Sequence, residues 1–449
     1  MATDLPIRED FLGHPKGLFI LFFTELWERF SYYGMRAILV LFVVAEVKDG
    51  MLGGLGWSKV AALSLYGWYT MSVYVASIPG GLIADRLLGR RKTVMLGGLT
   101  LCVGHLVLAM HGIGFFYLGL GLIVAGVGLL KPNISTMVGE LYRQGDPRRD
   151  KGFMIFYMGI NIGAFLSGII VGYVGQKIGW HYGFGLAGIG MLLGQAVYIL
   201  GQRHLAGIGM PPERIHKGSE KTTAPLTRVE KDRVLVLLLS FLIVVVFWGA
   251  FEQAGGLMNL FTDEKTNRVL LGWEIPASWF QSLNPLFIIL LATAVGAFWF
   301  RWQKKGRESS SLFKMGVGTA IMGFGFLFMA IATVQAGNEG KAWMIWIVLA
   351  YLFHTIGELS SSPVALSFIT KLAPLKYASL MMGTYFAVTG LGNKVAGILG
   401  ELAVGNLGEL NTFVGILVFC VLFGGLVIVF LKPLKRLTHG AEDLTDKAP

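Results

Sequence analysis

Uncharged apolar runs long enough to cross a lipid bilayer recur along this chain. They constrain its fold more than any other feature. Val234 to Phe251 and Phe413 to Leu431 contain no charged residue, and each approaches the ~20 residues needed to span the hydrocarbon core. One such run could be a buried helix of a soluble domain; a dozen cannot. Apolar residues make up 54% of the 449 and charged residues 14%, roughly half the usual quarter. Glycine, at 62 residues, is about twice its ordinary share, as expected where helices pack closely in lipid. The expected fold class is therefore an all-α integral membrane protein embedded in the bilayer.

Apolar runs and polar breaks give twelve spans, centred near Trp27, Val73, Val103, Val127, Ala164, Gly194, Val244, Leu290, Gly323, Phe353, Gly390 and Leu422. The longest polar break holds Pro211, Pro212, Pro225 and many charges, the composition of a solvated linker. This predicts a six-helix bundle over residues 1–202, a linker over 203–233 and a second six-helix bundle over 234–449. The link Gly81 to Thr93 and the basic, glycine-containing link Arg301 to Ser309 suggest that the halves are repeats. Duplicated transporters place their substrate site at the midplane between such halves.

The net charge of +11 does not call for nucleic acid. With the N-terminus placed in the cytoplasm, 28 lysines and arginines fall on the inner side and 6 on the outer. That bias predicts cytoplasmic termini and explains the basic balance, so no nucleic-acid partner is expected. Cys102 and Cys420 lie far apart in apolar segments and imply neither a disulfide framework nor a metal motif. The chain starts with about 16 mostly polar residues and lacks the short apolar region and cleavage site of a signal peptide. No metal spacing, Gly-x-Ser-x-Gly elbow or soluble domain points to an intramembrane enzyme or a sensor.

Ionisable residues inside spans are expensive and usually functional. Eight are expected there: Glu25, Glu28, Arg29, Arg36, Lys131, Glu252, Glu358 and Lys394. They balance as four acids and four bases, which suits a shared polar cavity. On a helical projection Glu25, Glu28, Arg29, Tyr32 and Arg36 fall within an arc of about 100°, with Tyr33 at its margin. Such a stripe could be a structural ion-pair row. Two acids beside one arginine, however, form a coupled set of which at least one can change protonation near neutral pH, as a proton relay requires. Lys131 precedes Pro132, which removes a helical hydrogen bond and exposes carbonyls beside the charge; it suits either an anionic ligand group or a carboxylate partner. Trp248 and Glu252 share a face ahead of Gly255-Gly256, a hinge-like pair, and Glu358 follows His354 by one turn. Lys394 could instead reach the span end.

These residues sit in recognisable patterns. Glu25-Leu26-Trp27-Glu28-Arg29-Phe30-Ser31-Tyr32-Tyr33-Gly34 resembles the signature ExxERFxYYG of the proton-dependent oligopeptide transporter family. The link from Gly81 to Thr93 is similar to the loop signature of the major facilitator superfamily. Phe156 to Gly163 resembles the family's FYxxINxG segment, Phe247 to Gln253 its FWxxxEQ segment, and Gln281 to Pro285 and Gly357 to Pro363 further family stretches.

The resemblance implies the major facilitator fold and proton-coupled import of di- and tripeptides, with H+ as coupling ion and no cofactor. It implies a monomer in a plasma membrane, the bacterial inner membrane. Residue by residue, it assigns proton handling to Glu25, Glu28 and Arg29, and the peptide carboxylate to Arg36 and Lys131. Asn161, Asn284 and Glu358 would meet the amino end, and Tyr32, Tyr33, Tyr74 and Trp248 would line side-chain pockets. Arg36 with Glu252, and Lys131 with the first-span acids or Glu358, would form state-dependent ion pairs. Three departures stand out. The linker lacks the two extra helices of many bacterial members, Gly67 stands where animal-type members have a histidine, and Tyr385 replaces a frequent pocket tryptophan. A family relative carrying nitrate or another small metabolite is the alternative.

Overall fold

The computed structural model describes residues 10–48, 50, 52–143, 146–210, 226–374 and 377–441. Its helices in chain order are α1 Lys16–Val44, α2 Lys59–Ile83, α3 Arg90–Leu108, α4 Ile113–Glu140, α5 Arg149–Tyr173, α6 Trp180–Leu200, α7 Arg228–Phe251, α8 Leu257–Lys265, α9 Leu283–Lys304, α10 Ser311–Glu339, α11 Met344–Leu372, α12 Ala378–Leu402, α13 Glu409–Val429 and α14 Leu431–Arg436. All but α8 and α14 are of spanning length. Nine of the spanning segments are also apolar enough to cross a membrane by composition. The other three, α1, α2 and α12, are diluted by polar residues. In α1 these are the charges at Glu25, Glu28, Arg29 and Arg36; in α12 they are Asn393, Lys394 and Glu401.

The chain divides into two compact units. The first comprises Met1–Trp57, Ser72–Ser219 and Pro276–Leu286, the second Ser58–Met71, Glu220–Ile275 and Phe287–Pro449. The boundaries thus fall inside α2 and near the start of α9. Within the first unit, the stretch before α9 is bolted to α5. Ser282 Oγ donates to the Phe165 carbonyl (2.9 Å), Trp279 Nε1 donates to that of Ile169 (2.9 Å), and Ser278 Oγ meets Gln176 Oε1 (2.7 Å). Lipid offers such groups no water, so each needs a protein partner.

α1 is the packing axis of the first unit and lies along α5 and α6. Its contact with α5 depends on Gly163, where an added Cβ would stand 2.2 Å from the Leu26 carbonyl oxygen. That approach sets the depth and rotation of α1 between Glu25 and Glu28. Gly163→Val must push the helices apart. Overpacking of this kind costs roughly 1–3 kcal/mol, so the detergent-solubilised variant should unfold at a clearly lower temperature; an unchanged midpoint would contradict the packing described here. In the second unit Val236, Leu237, Val244, Phe368, Ile369 and Leu372 form part of an apolar core.

Of the linker expected over 203–233, residues 211–225 lie outside the described residues, as do Arg8, Lys376 and Lys447 of the basic residues counted above. Its last residues already belong to α7. There Thr227 and Glu230 form a capping box: Thr227 Oγ1 accepts from the Glu230 amide (3.2 Å) and Glu230 Oε2 from the Thr227 amide (2.8 Å), satisfying two otherwise unpaired donors. A recurrence that the sequence reading missed joins the ends of α2, α5 and α12. Each runs into one wider π-helical turn, at Ala84–Leu88, Val174–Ile178 and Ala403–Leu407. In the first two, Gly89 and Gly179 donate back to the carbonyls of Ala84 and Val174.

Candidate functional site

In the first unit the α1 stripe is buried as a block. Glu25, Glu28, Arg29, Tyr32 and Arg36 all face inward, with Glu28 fully enclosed, while Tyr33 is half-buried. Arg29 joins the two acids: its Nε donates to Glu25 Oε1 (2.7 Å) and lies 3.0 Å from Glu28 Oε2. Glu25 Oε2 and Glu28 Oε1 find no hydrogen-bond partner among the described residues. Two carboxylates against one guanidinium carry a surplus negative charge when both are ionised. Removed from water, that surplus is costly, and either a proton or a nearby cation can cancel it. Lys131, on α4, is close enough for its charge to act on Glu28. Its ammonium lies over the Tyr74 ring, 3.8 Å from the centroid, which holds it as a cation–π pair. Arg36 stacks likewise on Tyr33, at 4.9 Å.

Pro132 does not break α4, which runs on to Glu140. The proline cannot donate to the Gly128 carbonyl, and Gly80 of α2 packs directly on that carbonyl. Asn133 Nδ2 instead donates to the Leu129 carbonyl (2.7 Å). The effect is a continuous helix with Lys131 held opposite α2. Asn161 is buried with its amide donating to Tyr157 of its own helix (2.9 Å). Asn284 sits at the start of α9, in the stretch bolted to the first unit.

In the second unit α7 ends at Phe251. The turn Glu252–Ala254 and the Gly255-Gly256 pair precede α8, so the expected hinge is a real break. Glu252 is buried and accepts from the Tyr66 hydroxyl at 2.8 Å. The sequence reading did not find Tyr66: its helix is uncharged there, and only the packing of Ser58–Met71 in the second unit brings it to Glu252. A hydrogen bond to a charged group contributes ~1.5–3 kcal/mol. Tyr66→Phe should therefore lower the thermal midpoint and substrate uptake together, without changing expression; a variant equal to wild type in both would count against this contact.

Glu358 is half-buried on α11. Tyr385 is buried on α12, where Thr389, Trp248 and Ser362 surround its hydroxyl and the Glu358 charge lies nearby. Tyr385 thus anchors Trp248 and Glu358 in one patch. Gly67 packs on the Gly397 backbone, where a Cβ would meet the Cα at 3.0 Å, so a histidine has no room there. Lys394 lies 3.3 Å from Glu401 and over the Trp68 ring, a local pair about two helical turns apart on α12. His354 is buried against Phe326, at 4.6 Å between centroids.

Comparison with known proteins agrees with this architecture. The profile of the POT family matches residues 91–228 and 220–412. The chain is 34% identical to the peptide transporter YePEPT of Yersinia enterocolitica, over 98% of both chains. It is also 34% identical to a di-/tripeptide transporter of Lactococcus lactis subsp. cremoris, over 96% of this chain and 98% of the relative. The crystal structure of a POT family transporter in complex with 5-aminolevulinic acid superposes with a TM-score of 0.87 at 31% identity, covering 95% and 98% of the two chains. The chain therefore belongs to the POT family: it is a multi-pass membrane transporter of the major facilitator fold, with twelve transmembrane helices in two six-helix bundles, and not an enzyme.

Proposed function

We propose that this transporter imports di- and tripeptides in symport with protons, by alternating access. The observation that carries the reading is the Glu25–Arg29–Glu28 cluster, a buried set with more carboxylates than cations of its own. Protonation neutralises its surplus charge and loosens its hold on Lys131, freeing that ammonium for a ligand carboxylate. Arg36 is the second carboxylate partner, and its fork suits bidentate contact. Glu358, with Asn161 and Asn284, receives the amino end. Glu252, steadied by Tyr66, is the counter-charge for Arg36 in the empty transporter. Tyr32, Tyr33, Tyr74, Trp248 and Tyr385 shape the side-chain pockets. Recognising both ends of a zwitterion leaves the side chains between them largely unread. Relatives named for di- and tripeptides, and a family structure with 5-aminolevulinic acid, itself an amino acid with separated charges, support this choice.

The proposed assembly is a monomer in the bacterial inner membrane with cytoplasmic termini, as the distribution of basic residues indicates. The two proposed units of inheritance are the halves 1–202 and 234–449 on either side of the linker. The substrate assignment is tested by competition. Excess dialanine should suppress uptake of a labelled dipeptide, while nitrate and dialanine blocked at both ends should not. Suppression by nitrate, with dialanine inert, would assign the chain to small anions instead.

A further inference from the structure

The link between α9 and α10 carries charge that the transport reading does not use. α9 is the least buried of the nine apolar spanning segments, so much of its surface faces lipid. At its end Phe298, Arg301, Trp302 and Lys305 fall within an arc of about 100° on a helical projection, and Phe298, Arg301 and Lys305 are exposed. Gly306 then takes a left-handed turn (φ 67°), which reverses the chain and returns Arg307 to the Trp302 face. The Arg307 guanidinium lies over that ring, 4.5 Å from its centroid. Trp302 is itself fixed, its Nε1 donating to the Glu308 carbonyl (2.8 Å). Three cations, Arg301, Lys305 and Arg307, thus gather around one aromatic ring at the end of a span.

The corresponding link of the first unit spends its charge internally. Arg90 is paired with Asp85 (2.8 Å) and Glu140 (2.7 Å), and Arg91 Nε donates to Gln202 Oε1. The α9–α10 link has a single acid, Glu308, and Lys435 engages it at 2.9 Å. No second acid stands in 301–310 to balance Arg301, Lys305 and Arg307, and Lys304, over the Phe300 ring at 4.6 Å, adds to the surplus. That surplus calls for an outside anion, and the bilayer supplies one at this depth. Phe298, one turn deeper than Trp302, lies among the acyl chains; aromatic rings concentrate at the interface, and basic clusters directly beyond a span attract anionic headgroups. We propose that this face of the α9–α10 link seats an anionic phospholipid, its phosphate between Arg301, Lys305 and Arg307 and its acyl chains along Phe298. The arginine forks suit phosphate oxygens, and the lysine adds a point charge. This end of α9 is cytoplasmic by the orientation proposed above, but the seat itself does not depend on that orientation. A lipid held there anchors the α9–α10 link and, through the Glu308–Lys435 pair, α14.

The test is native mass spectrometry of the full-length transporter in detergent, titrated with dioleoylphosphatidylglycerol or dioleoylphosphatidylcholine. The anionic lipid should bind saturably and roughly tenfold or more tightly than the zwitterionic one. Arg301→Gln, Lys305→Gln and Arg307→Gln should each weaken it roughly fivefold, and about a hundredfold together, with the thermal midpoint close to that of the wild type. Arg301→Lys keeps the charge and should keep most of the affinity. Lys151→Gln, which removes an exposed base at the start of α5, should bind as the wild type does. Glycerol phosphate, a headgroup without acyl chains, should not compete. Equal binding of the two lipids, wild-type affinity in the triple variant, an equal loss in Lys151→Gln, or displacement by glycerol phosphate would overturn the proposal.

Discussion

Glu28→Gln should leave the transporter able to exchange labelled for unlabelled dipeptide while its accumulation ratio under an inward proton gradient falls to about one, the limit in which no coupling free energy links the two solutes. The side chains are nearly isosteric, so the packing of α1 against α5 is preserved. What changes is the charge. Glu28 is fully enclosed and 3.0 Å from Arg29, so its neutral amide fixes the cluster permanently in the state that a proton would otherwise create. Arg29 keeps its 2.7 Å hydrogen bond to Glu25, which protects the fold from an unpaired guanidinium. Exchange needs only substrate-loaded reorientation and survives; uphill movement needs a group that gains and loses a proton each cycle, and is lost. Proton-driven accumulation at the wild-type rate by this variant would sink the relay. Loss of exchange together with accumulation would point to a structural role for Glu28.

Arg36→Ala should raise the half-saturating dipeptide concentration by roughly 10–100-fold, as expected for losing a charge-assisted hydrogen bond of ~1.5–3 kcal/mol. Arg36 is almost completely buried and stacked on Tyr33, so it presents one fixed face. Arg36→Lys should recover only part of the loss, because a single ammonium cannot make the bidentate contact. The discriminating comparison uses a dipeptide amidated at its C-terminus. If Arg36 reads the carboxylate, the wild type should already take this ligand poorly, and the alanine substitution should add little further penalty. An equal penalty on both ligands would show that the substitution acts on the fold and not on recognition.

The α1 stripe was legible because two constraints coincide. Helical periodicity places Glu25, Glu28, Arg29, Tyr32 and Arg36 on one face, and the cost of charge in hydrocarbon forces that face inward. Both act within a single helix, so no tertiary information is needed. The interruption between α7 and α8 was legible for a similar reason, since the adjacent Gly255 and Gly256 weaken a helix there. Contacts between helices were not. Tyr66 reaches Glu252 only through the way Ser58–Met71 packs, and nothing in the local sequence of α2 reports that. The stretch 276–282 precedes the span centred near Leu290, and nothing in its local sequence reports that its serines and Trp279 secure it to α5 and the turn after it. Lys394 looked like a member of the central charge set because only its depth along α12 could be read; its partner Glu401, seven residues on, depends on side-chain reach.

Proton coupling is tested most directly in proteoliposomes containing the purified transporter, loaded at neutral pH and diluted into acidic medium with labelled dialanine outside. Label should rise inside well above the external concentration and collapse to equality when an uncoupler dissipates the gradient. Entry that never exceeds the external concentration, in liposomes whose gradient is shown to persist, would contradict proton-coupled peptide import by this chain.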